Sequence, residues 1–153
     1  MHDSLALGID LGTSGVRVAV LNQQRDLLYT DSNGYDRGLA DPDDWLRSCT
    51  QLIKAIPHEL RSQLKAVAVD GTSGTLVACD PDGTPLGKAL PYNVACPEQL
   101  EQMRELVQAG QPAASASGSL ARALRLLQQH SQPLILRHPV SYTHLRAHET
   151  IDD

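Results

Sequence analysis

Two aspartates, each closing an apolar run and each followed by a glycine-bounded hydroxyl turn, are the residues of this chain best placed to do chemistry. Leu5-Ala6-Leu7-Gly8-Ile9-Asp10 leads through Leu11 into Gly12-Thr13-Ser14-Gly15, and Ala66-Val67-Ala68-Val69-Asp70 leads directly into Gly71-Thr72-Ser73-Gly74. Glycines let backbone N–H groups approach an anion closely. Serine and threonine hydroxyls donate to oxygens, and a carboxylate holds a hydrated cation. A strand that delivers a carboxylate into such a turn is suited to phosphates, metal ions or polyols.

At the first element Asp10 would orient a hydrated magnesium ion, while Gly12, Thr13, Ser14 and Gly15 would line the path of a transferred phosphoryl group. Phosphoryl transfer needs positioning and charge neutralisation more than covalent help, and a carboxylate beside an N–H-rich turn supplies both. At the second element Ser73 and its neighbouring amides would hold substrate hydroxyls. Asp10 and Asp70 count on the same substrate side. Asn93, after Tyr92, adds an amide that both donates and accepts. The plainer alternative is that each element is only a turn between strands, since Gly and Ser are ordinary turn residues. Arg17 reads as an exposed strand arginine near the first turn, and Trp45 as core rather than a sugar-stacking platform. His144 and His148 have the i, i+4 spacing of a helical metal pair but are not expected to hold one. No Gly-x-x-x-x-Gly-Lys-Ser/Thr occurs, and Gly8, Gly12 and Gly15 do not make Gly-x-Gly-x-x-Gly, which disfavours a P-loop and a dinucleotide-binding domain.

The elements that must position these residues are legible in outline. Strands are expected at Leu5 to Asp10, Val16 to Leu21 and Leu27 to about Ser32, joined by connections short enough to make them antiparallel neighbours. A helix follows: Asp41 caps it, Pro42 takes its first position, and Asp43 and Asp44 complement the dipole. Trp45, Cys49, Leu52, Ile53 and Ile56 form its apolar face, and Pro57 ends it. Leu64 to Asp70 is expected as a strand buried on both faces. Thr75 to Cys79 is a fifth strand and Ala89 to Tyr92 a short sixth. Helices are expected from Pro97, carrying Leu100, Met103 and Val107, and over Leu120, Leu124 and Leu127 before Pro133. The order predicts an α/β fold, a mixed sheet with antiparallel opening strands covered by helices. Residues 1–138 are expected to form one domain. Residues 139–153, without a clear apolar period, resemble a translated adaptor- or vector-like tail and are expected to be non-native or disordered.

With 153 residues, 41% of them apolar but no phenylalanine, the core must be built mainly from Leu, Val, Ile and Ala. A net charge of −5 argues against nucleic acid or an anionic membrane as partner. Cys49, Cys79 and Cys96 are odd in number and widely spaced, which fits a reducing, cytoplasmic setting and neither a disulfide framework nor a zinc site. No apolar run is long enough to span a bilayer.

Together these residues resemble the FGGY carbohydrate kinases, a branch of the actin-like ATPase superfamily. Gly8 to Arg17 looks like the family's opening phosphate-loop strand pair. Ala66 to Thr75 looks like its second signature, in the form found in D-ribulose kinases, and Pro91-Tyr92-Asn93 with Ala95-Cys96-Pro97 continues the likeness. It runs from about Leu5 to about His138. The resemblance implies an RNase H-like fold and transfer of the ATP γ-phosphate, with Mg²⁺, to a hydroxyl of a ketopentose such as D-ribulose. It places Asp10 and Thr13 in the phosphate–metal region, and Ser73 and Asn93 toward the sugar. Family members are considerably longer, with a second domain supplying most of the adenosine site. Their catalytic base is an aspartate that no residue up to His138 matches, and Asp152 and Asp153 are not given that role. The chain is therefore expected to be an N-terminal part, inactive alone. A non-catalytic sugar- or nucleotide-binding module and another actin-like ATPase remain as alternatives.

Overall fold

The computed structural model describes residues 4–152; within the last helix it leaves out the side chains at 145, 148–150 and 152. Two compact units result. One holds residues up to Thr72 together with the segment from Pro139, and the other runs from Ser73 to His138.

The first unit opens with β1 (Leu5–Leu11), β2 (Gly15–Leu21) and β3 (Leu27–Gly34), followed by α1 (Pro42–Ala55), a single turn α2 (His58–Arg61) and β4 (Leu64–Gly71). The strands form one sheet in the order β3-β2-β1-β4. Pairs β1/β2 and β2/β3 are antiparallel, as their short connections require, and β1/β4 is parallel. Alternation sorts the side chains by face. Leu5, Leu7, Ile9 and Leu11 of β1 and Val16, Val18 and Val20 of β2 are buried. Trp45, Cys49, Leu52, Ile53 and Ile56 of α1 are buried with them, the face that helical spacing marks. Asp41 caps α1, accepting from Asp43 N at 3.0 Å, with Pro42 at the first position. Trp45 belongs to the core and donates from its indole to Leu39 O at 3.0 Å.

Two expectations are corrected in this unit, for β4 and for the tail. β4 is an edge strand rather than a strand buried on both faces: Ala66, Ala68 and Asp70, on the face of Asp10, are exposed. Pro57 ends α1 as expected, and the chain after it makes the turn α2. The irregular tail is a helix, α5 (Pro139–Asp152), lying against α1 and β4, with Tyr142 edge-on to Trp45 at a ring separation of 5.9 Å.

The second unit contains β5 (Val77–Cys79), 3₁₀ turns at Pro97–Gln99 and Pro112–Ala114, α3 (Leu100–Leu106), α4 (Ser119–Gln129) and β6 (Ile135–Arg137). β5 does not extend the first sheet; it pairs with β6, a strand unforeseen in the sequence because three residues after Pro133 carry no readable alternation. Nor is Ala89 to Tyr92 a strand. Its ladder pairing is the isolated antiparallel bridge Leu76↔Leu90. Cys96, Met103, Ala121 and Leu124 form one core cluster, and Leu76, Ala78 and Leu126 another. α4 is rotated from its expected register: Ala121, Arg122, Leu124 and Leu126 are buried, while Leu127 is half exposed.

Candidate functional site

The parallel pairing of β1 and β4 decides the geometry of the first unit. Its register sets Asp10 directly opposite Asp70 and Leu11 opposite Gly71, so both hydroxyl turns leave the sheet at the same end. Adjacent strands lie about 4.8 Å apart, which makes the two aspartates neighbours on one face of the sheet. They face a cleft of about 450 Å³ over the open side of the sheet, floored by Gly8, Ala19 and Ala68. Small residues there leave room above the backbone. Asp10 also pairs with Arg17, its antiparallel partner on β2, at 3.5 Å. Both side chains are well exposed, so this ion pair contributes little to stability. The Asp70 carboxylate accepts from Gly71 N at 2.8 Å.

Gly12 to Gly15 form the turn expected of them. Gly12 N donates to Gly15 O at 2.8 Å, closing the loop, and Thr13 and Ser14 face solvent. A polar cleft of about 200 Å³ lies between this turn and residues Ser32 to Gly34 of β3. Gly15 is obligatory: a Cβ would stand 2.3 Å from Asn33 O.

Tyr35 is a residue that the sequence did not mark. Its hydroxyl donates to Gly12 O at 3.2 Å and its backbone N–H donates to Ser14 O at 3.0 Å, so it grips both ends of the turn. Burial, with Cys49, Asp10 and Asp44 nearby, pushes its phenol well above the ordinary range and keeps it a donor. The loop carrying Tyr35 is anchored by Asp44, which is fully buried and accepts from Arg37 N and from the Arg47 guanidinium. Burial alone would raise the Asp44 pKa, but those donors outweigh it and hold the carboxyl below its usual value. The sequence reading took Asp44 for a dipole residue. A fully buried carboxylate on α1 does more, organising the loop that braces the turn.

In the second unit the bridge Leu76↔Leu90 runs antiparallel, with Leu76 N to Leu90 O at 3.0 Å and Leu90 N to Leu76 O at 2.7 Å. Beyond the bridge the chain turns on both sides, at Ser73-Gly74 and at Tyr92-Asn93, where Val94 N donates to Pro91 O at 2.9 Å. The Thr75 hydroxyl accepts from Tyr92 N at 3.0 Å, and a Cβ on Gly74 would lie 3.6 Å from the Tyr92 Cβ. Ser73 and Asn93, both exposed, lie in these two neighbouring turns. Gly74 has φ +79°, a conformation that favours glycine. Arg122 was also missed. It is buried, and among the described residues it donates to backbone carbonyls, Gly74 O at 2.7 Å among them.

Among the described residues no group of three or more His, Cys, Asp or Glu could hold a metal by itself. The side chain of His148, one half of the i, i+4 histidine spacing, lies outside the described residues. The three cysteines are free and buried, and burial pushes the Cys49 thiol up to about 12. No described helix is long and apolar enough to cross a membrane.

A mixed sheet with antiparallel opening strands, a parallel fourth strand, helices packed on it and paired carboxylate turns at one end defines an actin-like, RNase H-like domain. Solved structures share this fold: a Plasmodium falciparum glycerol kinase with ADP (TM-score 0.74, 12% identity, 92% of this chain and 33% of that one) and xylulose kinases from Brucella ovis (0.72, 19%, 92% and 34%) and Bifidobacterium adolescentis (0.72, 17%, 94% and 34%). Residues 5–123 match the N-terminal domain of the FGGY family of carbohydrate kinases, and the chain belongs to that family. In sequence it is similar to the xylulose kinase of Staphylococcus epidermidis, 29% identical over 105 residues that make up 61% of this chain and 21% of that protein. The xylulose kinase of Staphylococcus xylosus is 27% identical over 95 residues, 57% of this chain and 20% of its own length. The chain thus spans about a fifth of the length of the curated relatives it matches.

Proposed function

We propose that this chain is the N-terminal part of an ATP-dependent sugar kinase that phosphorylates a hydroxyl of a ketopentose. The observation that carries this reading is the register that sets Asp10 beside Asp70 next to the closed Gly12–Gly15 turn. Hard carboxylate oxygens facing an open cleft suit Mg²⁺, which keeps several waters and takes one or two carboxylates plus substrate phosphates. Asp10 would hold that ion, which neutralises phosphate charge when bound, and Asp70 lies on the substrate side of the same cleft. Gly12, Thr13, Ser14 and Gly15 receive the phosphates of ATP. Ser73 and Asn93 donate to and accept from sugar hydroxyls. The base that removes the hydroxyl proton is not assigned to any residue here. Residues 1–138 are the family's portion, and 139–153 lie outside it. The protein works in the cytoplasm, consistent with its buried free thiols.

The second signature, Asp70 to Gly74 with Tyr92-Asn93, supports D-ribulose as acceptor, and the relatives' names make D-xylulose the competitor. The test uses the full-length protein carrying this domain, assayed for sugar-dependent ADP formation with each ketopentose. Asp10→Ala should lower kcat by about 10²-fold or more, the scale on which preorganised charge stabilisation acts, with the circular dichroism spectrum unchanged. Near-normal turnover in that variant, or no ketopentose-dependent ADP in the parent, refutes the assignment.

A further inference from the structure

Arg122 is the polar side chain most deeply committed in the second unit. It lies on α4 at 3% exposure. Nε donates to Gly74 O at 2.7 Å, and Nη1 lies 2.9 Å from Tyr92 O, 3.0 Å from Val94 O and 2.8 Å from Ser117 O. Three acceptors share two N–H bonds at Nη1, so part of that set is three-centred. Among the described residues no carboxylate pairs with it. A buried guanidinium without a counter-ion is an inefficient way to fill a helix face whose other buried members are Ala121, Leu124 and Leu126. What it holds explains the choice of residue. Gly74 directly follows Ser73, and Tyr92 and Val94 are the two neighbours of Asn93. Holding the carbonyls of Tyr92 and Val94 on one nitrogen fixes the peptide that enters Asn93 and the one that leaves Val94, so the short stretch carrying Asn93 is pinned before and after it. Gly74 is equally constrained, since a Cβ there would approach Arg122 Nη2 to 3.0 Å.

We propose that Arg122 is a positioning residue for polyol recognition: its planar fork clamps the backbone beside Ser73 and on both sides of Asn93, so that these two side chains meet two hydroxyls of the sugar at a fixed separation. This rests on the sugar-side reading of Ser73 and Asn93. Lysine keeps the charge but is a point donor on a flexible stem and does not reproduce the fork.

The test compares Arg122→Lys and Ser73→Ala with the parent in the full-length protein. Misplaced recognition groups weaken substrate positioning, so Arg122→Lys should raise the KM for ketopentose about tenfold while the KM for ATP stays within about twofold. A purely structural role would reduce the fraction of active enzyme and leave both KM values in place, and that outcome overturns the proposal. Ser73→Ala separates the two ways of failing. A sugar KM raised by Ser73→Ala but not by Arg122→Lys removes the clamp and keeps the sugar reading; no change in either variant removes both. A second measurement stands if Arg122→Lys does not fold. In the ¹⁵N-labelled parent the Arg122 Nε–H resonance should shift saturably on addition of ketopentose and not with ADP–Mg²⁺ alone. An unmoved resonance at saturating sugar overturns the proposal.

Discussion

Gly15→Ala isolates the steric demand behind the first turn. Gly15 begins β2 and pairs with Gly34 of β3. A Cβ there would lie 2.3 Å from Asn33 O, 2.9 Å from Gly34 Cα and 3.1 Å from Asn33 C. All three are backbone atoms, so no side chain can swing aside and the strands must part locally. Overpacking of this kind costs about 1–3 kcal/mol, and a ladder hydrogen bond lost in parting the strands adds about 1 kcal/mol. The sum is about 3 kcal/mol, a large share of the stability of a small unit. Trp45, the chain's single tryptophan, is fully buried in the same unit and reports its unfolding by fluorescence. With a urea m-value of about 2 kcal/mol/M, the midpoint should fall by about 1.5 M. Gly8→Ala is the internal control. Its Cβ meets nothing closer than Ala19 O at 3.9 Å, and replacing a strand glycine should stabilise by about 0.5 kcal/mol. A Gly15→Ala midpoint within about 0.2 M of the parent, or an equal fall for Gly8→Ala, refutes the packing argument; the first limit corresponds to about 0.4 kcal/mol.

Three further outcomes are expected. Asp41→Ala removes the cap of α1 and an ion pair with Arg37 at 3.3 Å; it should cost about 1 kcal/mol in the same urea experiment, with Asp41→Asn recovering most of it. Tyr35→Phe deletes the donor to Gly12 O, so the KM for ATP should rise severalfold while the sugar KM holds; unchanged ATP kinetics would deny the brace a functional role. Glu98, held by its hydrogen bond to Arg125, has its carboxyl lowered from 4.5 to about 2. A depressed folded pKa stabilises above the unfolded value and is lost as the pH falls, so this contribution is whole above pH 4.5 and disappears toward pH 2. Glu98→Gln should flatten acid unfolding over that window when followed by circular dichroism, and an unaltered profile counts against the pair.

What was legible in the sequence was local. Asp41-Pro42 and the spacing of Trp45, Cys49 and Ile53 mark α1 because caps and amphipathic period are written within a few residues. The opening hairpins are legible because their connections leave no room for another topology. β4 misled because Ala66 and Ala68 count as apolar without demanding burial, and both are exposed. α5 has no apolar period to find, and β5 meets β6 across nearly the whole second unit. The candidate site divides along the same line. Asp10, Asp70 and the two turns announce themselves as a repeated phrase. Tyr35 and Arg122 act on backbone oxygens 23 and 48 residues away, and such contacts leave no pattern in the chain. An arginine on the buried side of α4, among Ala121, Leu124 and Leu126, was the one available signal, hidden by the misplaced register of that helix.

The repeated phrase becomes a site only through two features that no single strand contains. Had β4 paired antiparallel with β1, its carboxylate and turn would stand at the far end of the sheet from Asp10. Parallel pairing is necessary but still insufficient, because a slip of one residue would send Asp70 to the opposite face. The ladder begins with Leu5 opposite Leu64, yet Ala6 lies opposite Ala66, so Lys65 is accommodated as an irregularity between them. Without that extra residue Asp10 would face Val69, a side chain of the helix-covered side, and Asp70 would lie one step farther along. Bulges in parallel pairs are rare and mark places where a strand re-aims a side chain. Here the displacement at the start of β4 is carried along the strand to its end, and its consequence is the pairing of two carboxylates over the open cleft.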